Sequence, residues 1–133
     1  MKKITELDSN YKGVNIHPNA YVDSRAELQE GVHIGSGAIV GPNVIIGKGT
    51  EIGPNAVIQG RTKIGENNKV FPNVFIGLDP QDLKYQGAST EVIIGNNNTF
   101  RECVTINKAT NEGEKTVIGS NNLLMAYTHI GHN

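Results

Sequence analysis

A chain of 133 residues, 37% of them hydrophobic, has the length of one domain, and its formal charge of −1 leaves no basic stripe to gather the phosphates of a nucleic acid. Its single cysteine, Cys103, excludes an internal disulfide and, with no Cys or His at zinc-finger spacing, reads as a reduced structural thiol. Sixteen glycines, no tryptophan, four tyrosines and three phenylalanines leave few large side chains for a conventional core.

The opening MKKITELDSNYKG turns polar after its two lysines and lacks the apolar run of a secretory signal. No apolar stretch is long enough to cross a bilayer, so a soluble, cytoplasmic chain with no transmembrane segment is expected. From Ile16 an aliphatic residue then recurs at every sixth position: Val22, Leu28, Ile34, Val40, Ile46, Ile52, Ile58, Ile64, Val70 and Ile76. The phase resumes at Ile94, Phe100 and Ile106, and again at Ile118, Leu124 and Ile130. Four residues after each aliphatic stands a small one (Ala20, Ala26, Val32, Ala38, Val44, Thr50, Ala56, Thr62, Val74), with Asn68 breaking the series. Three residues after it stands Asn or Gly (Asn19, Gly31, Gly37, Asn43, Gly49, Asn55, Asn67, Asn73, Asn97, Asn121), the residues that accept a left-handed corner.

A helix needs neighbours three and four apart, and a sandwich needs longer strands, so neither fits a period of six. The pattern predicts an all-β parallel helix, three-sided, of about six coils at strand spacing of about 4.8 Å, with the aliphatic and small residues inside. It resembles the bacterial hexapeptide-repeat transferases, and that resemblance implies left-handed coils against the usual crossover rule. Two stretches break the repeat, near 78–92 and 108–116, and are expected to leave the coil as loops, where a rigid scaffold can hold binding residues.

QDLKY (Gln81 to Tyr85) in the first of these stretches, with RECVTIN (Arg101 to Asn107) and NLLMAYTHIGHN (Asn122 to Asn133) outside them, resemble the UDP-N-acetylglucosamine O-acyltransferases of lipid A biosynthesis over roughly residues 14–133. That resemblance implies transfer of a 3-hydroxyacyl group from acyl carrier protein to the 3-hydroxyl of UDP-N-acetylglucosamine, in a homotrimer with sites between subunits and no cofactor. His132 matches the family's catalytic histidine, whose imidazole takes the sugar hydroxyl's proton. His129, Gln81 and Asp82 match residues that hold the sugar, and Lys84 matches one near the phosphates. Asn107 stands where many members have His, which keeps hydrogen bonding and loses charge. Asn133 stands where Asp often follows the catalytic histidine, and corner geometry explains it most simply. His129 and His132 lack a third outward His or a Cys, so no metal site is expected, and His17 and His33 read as solvated.

The family continues through further coils into a helical domain, so the resemblance implies a truncated piece, 1–133, with those parts absent and little activity of its own. Two other readings compete: another hexapeptide acyltransferase using acyl-coenzyme A, and a trimeric scaffold without chemistry.

Overall fold

The computed structural model describes residue 11 and residues 13–132, so the turn expected at Asn133 lies outside the described residues. Three parallel sheets form the sides of a solenoid, with six, six and five strands. The first face stacks Asn15–Ile16, His33–Ile34, Glu51–Ile52, Lys69–Val70, Thr99–Phe100 and Leu123–Leu124. Tyr21–Val22, Ile39–Val40, Val57–Ile58, Phe75–Leu78, Thr105–Asn107 and His129–Ile130 make the second; Glu27–Leu28, Val44–Ile46, Arg61–Ile64, Glu91–Ile94 and Lys115–Ile118 make the third. No described helix is long and apolar enough to cross a membrane.

Each two-residue strand contributes one outward and one inward side chain, and the register sets inward on inward: Ile16 meets Ile34, Ile34 meets Ile52, Ile52 meets Val70, Val70 meets Phe100 and Phe100 meets Leu124. These columns and the small residues between them form one continuous core, its members no more than 9% exposed. Burying each aliphatic side chain contributes roughly 1.5–3 kcal/mol, which lets strands of two residues persist where an isolated pair would not. Backbone amides at the corners close the coils onto one another, as where Gly35 N donates to Ile52 O at 2.8 Å and Gly53 N to Val70 O at 2.8 Å.

Asn68 interrupts the small-residue series because it belongs to a polar column inside the tube. Asn68 N donates to Thr50 Oγ1, Asn98 N to Asn68 Oδ1 and Asn122 N to Asn98 Oδ1, while the amide groups of Asn68 and Asn98 donate to Gly95 O and Gly119 O. Buried amides need such partners, and here each coil supplies the next.

The corners divide into two kinds. Gly31, Gly37, Gly49, Asn55, Asn67, Asn73, Asn97 and Asn121 carry positive φ, as the repeat predicts. Asn19 and Asn43 do not, and Asn19 Oδ1 instead accepts from Gly37 N and Ser36 Oγ of the next coil. Cys103 (φ 64°) and Tyr127 (φ 64°) occupy the same corner without being Asn or Gly. A left-handed conformation costs such a residue roughly 1–2 kcal/mol. Because Tyr127 is 80% exposed, Tyr127→Asn should relieve that cost with little packing lost. Its expected result is a gain of about 1 kcal/mol, read by calorimetry as a rise of roughly 2–6 °C in melting temperature.

Candidate functional site

The first excursion begins at Gly77, whose φ of 87° and break in register between Ile76 and Leu78 turn the chain off the second face. Residues 79–90 form the loop and 108–114 the second excursion, the flanking strands reaching further in than the hexad pattern implies. Asp82 organises the loop tip. Its Oδ1 accepts from Lys84 N at 2.9 Å, its backbone O from Tyr85 N at 3.0 Å, and its Oδ2 from Thr110 Oγ1 of the second excursion at 3.2 Å. The same Oδ2 faces His132 Nε2 at 3.7 Å, with side chains 19% and 41% exposed. A loop carboxylate and a histidine on the last described coil, 50 residues apart in sequence, thus meet at one point of the surface.

These contacts hold the Asp82 carboxyl below the ordinary carboxylate range, chiefly through the Lys84 amide, then the Thr110 hydroxyl and the charges of His132 and Lys84, against opposition from burial. A depressed pKa means the anion's contribution to anchoring the loop is present above the unfolded value and is lost as pH falls through the folded value. The loop should therefore stay anchored through the neutral range and loosen only in acid. Carbon-detected titration of Asp82 should give a midpoint below about 3.9, moving upward in Thr110→Val; a midpoint at or above the ordinary value would refute the contact.

Around this pair the second face supplies the rest. His129 Nδ1 lies 2.7 Å from Thr105 Oγ1, one coil away, which fixes the ring of an otherwise exposed histidine. Asn107 is only 5% exposed, and its Nδ2 meets no acceptor among the described residues. An unpaired buried donor costs about 1–3 kcal/mol, a cost that an acceptor on a bound ligand would relieve. Gln81 and Lys84 flank Asp82 with exposed side chains and do not take part in the Asp82–His132 contact. Thr105, Thr110 and Lys108 escaped the sequence reading; for Thr105 the clue is its phase, since it precedes Ile106 as His129 precedes Ile130. His17 and His33 are exposed on early coils.

Two overlapping segments, residues 13–48 and 43–77, match the family model for bacterial transferase hexapeptide repeats. The acyl-[acyl-carrier-protein]–UDP-N-acetylglucosamine O-acyltransferase of Pseudomonas putida is 55% identical over 119 residues, which cover 89% of this chain and 46% of that protein. The enzyme of that name from Rippkaea orientalis is 62% identical over 66 residues, 50% of this chain and 24% of its own length. The solved UDP-N-acetylglucosamine acyltransferase of Francisella novicida superposes with a TM-score of 0.85 at 41% identity, covering 88% of this chain and 43% of that one. The chain belongs to this acyltransferase family. It shares the left-handed β-helix of the UDP-N-acetylglucosamine O-acyltransferases, and it spans less than half the length of these relatives.

Proposed function

We propose that this chain carries the sugar-nucleotide half of an O-acyltransferase that moves a 3-hydroxyacyl group from acyl carrier protein to the 3-hydroxyl of UDP-N-acetylglucosamine, the acylation that begins lipid A synthesis. The observation that carries the reading is the approach of His132 to Asp82 beneath the QDLKY loop. His132 takes the proton of the acceptor hydroxyl as its oxygen attacks the thioester carbonyl. The tetrahedral intermediate collapses, the C–S bond breaks, and the imidazolium returns its proton to the departing thiolate. Asp82 stabilises the imidazolium while it exists, since an anion kept ionised at neutral pH lowers the cost of charging the ring.

Lys84 provides a point charge for the diphosphate, and Gln81, His129 and the unpaired Asn107 amide provide hydrogen bonds for the sugar. The working assembly is a homotrimer in the cytoplasm, with sites between subunits, and no metal or cofactor enters the step. The test is acyl transfer by the polypeptide as its gene encodes it, with 3-hydroxyacyl carrier protein and UDP-N-acetylglucosamine, alongside thermal shift with the sugar nucleotide. Expected are turnover with the carrier-bound donor well above that with acyl-coenzyme A, and a rise in melting temperature with ligand. Equal use of acyl-coenzyme A would move the assignment to another hexapeptide acyltransferase, and neither turnover nor a shift would leave a scaffold.

A further inference from the structure

The loop that presents Gln81, Asp82 and Lys84 has twelve residues between its flanking strands, from 79 to 90, and its tip residue Leu83 is fully exposed. Such a loop cannot hold side chains to within half an ångström unless contacts with the scaffold take up its backbone freedom. Lys108, at the start of the second excursion, supplies such a contact at the loop's root. Its backbone N donates to Leu78 O at 3.0 Å, tying it to the loop's root, and its stem runs over Gly60, where an added Cβ would lie 3.7 Å from Lys108 Cδ. The ammonium, on a side chain only 19% exposed, reaches Asp79 Oδ1 at 3.1 Å and sits 5.5 Å from the centre of the Tyr85 ring.

We propose that Lys108 is a positioning residue, whose one ammonium brackets Gln81–Lys84 by holding Asp79 on one side and Tyr85 on the other and so sets the affinity of the site for its sugar nucleotide. This rests on the reading above for the ligand's identity, but not for the bracketing itself. An ammonium has three donors and can serve both partners at once; a thioether of similar length can serve neither. Burial by itself would lower the Lys108 pKa, yet the contacts with Tyr85 and Asp79 outweigh it and raise it, so the charge persists throughout the neutral range. The next residues, Ala109 and Thr110, are buried, which fixes the platform from which Lys108 and the Thr110–Asp82 contact both act.

The experiment compares Lys108→Met, Lys108→Arg and Asp79→Asn in the polypeptide as its gene encodes it, by amide hydrogen exchange and by steady-state kinetics with UDP-N-acetylglucosamine as the varied substrate. Expected for Lys108→Met are exchange at residues 81–85 faster by tenfold or more with the coil strands unchanged, KM raised about tenfold, and kcat within twofold. Lys108→Arg should recover most of both effects. Asp79→Asn, which changes a largely exposed side chain, should raise KM about threefold and decides the matter if Lys108→Met does not fold. Unchanged exchange at 81–85, or exchange raised equally across the coils, overturns the proposal. If the unsubstituted protein neither binds nor turns over the sugar nucleotide, the functional reading falls and the exchange data alone judge the bracketing.

Discussion

Replacing His132 with alanine should lower kcat for acyl transfer by roughly 10²–10⁴-fold, the usual contribution of a positioned general base, and leave KM for UDP-N-acetylglucosamine within a few fold. The asymmetry follows from the proposed role, in which the imidazole would interact with a proton that moves only in the transition state while other groups would hold the sugar and diphosphate. Stability should not change measurably, because the side chain is 41% exposed and its contact with Asp82, at 3.7 Å, lies at the surface. Asp82→Asn should act in the same direction and more weakly, since it removes the counter-charge and leaves the base. Initial rates on both variants check this, with melting curves as the control. A variant with alanine at 132 that turns over at the unsubstituted rate would remove the general-base assignment altogether.

Gly77→Ala should destabilise the fold by about 3 kcal/mol or more, the largest effect expected of any single methyl group here. Two costs add at that position. A φ of 87° lies in the left-handed region that residues with a Cβ avoid, and the new methyl would overlap the carbonyl oxygen of Gln59 and crowd the Thr62 hydroxyl, itself bonded to Gln59 O. Backbone of an adjacent coil cannot step aside as a flexible side chain could, so the strand from Phe75 to Leu78 must shift instead. That shift would carry the root of the QDLKY loop with it. Urea titration should give a lower midpoint with the slope unchanged, and binding of UDP-N-acetylglucosamine should weaken as well. A midpoint equal to that of the unsubstituted chain would mean that the turn at Gly77 adapts.

The tube was readable because its determinants repeat. Ile34, Ile52 and Val70 must be aliphatic for one physical reason applied three times, and all three are buried at 2%. Corner chemistry was readable only in part, since backbone pairing between coils imposes the left-handed turn at Cys103 and Tyr127 whatever residue stands there, and Asn19 satisfies its corner through its side chain instead. The site was less accessible still. QDLKY and HIGH could be singled out as words, but nothing periodic relates them, and the approach of Asp82 to His132 depends on how two aperiodic excursions fold over each other. Lys108 and Thr110 lie in the shorter of these and resemble solvated loop residues until the contacts with Asp79, Tyr85 and Asp82 are seen.

The column of Thr50, Asn68, Asn98 and Asn122 bears on how such a chain winds correctly at all. Aliphatic hexads are nearly interchangeable among the three sides, so apolar stacking alone tolerates a frame error of one hexad. Displaced by that amount, Asn98 would be thrust among Val74 and Ala56, surrendering its bonds to Asn68 and Gly119. An amide stranded there costs about 1–3 kcal/mol. The asparagines thus serve as index marks, rejecting mis-wound turns during assembly and fixing the angular position at which the two excursions emerge.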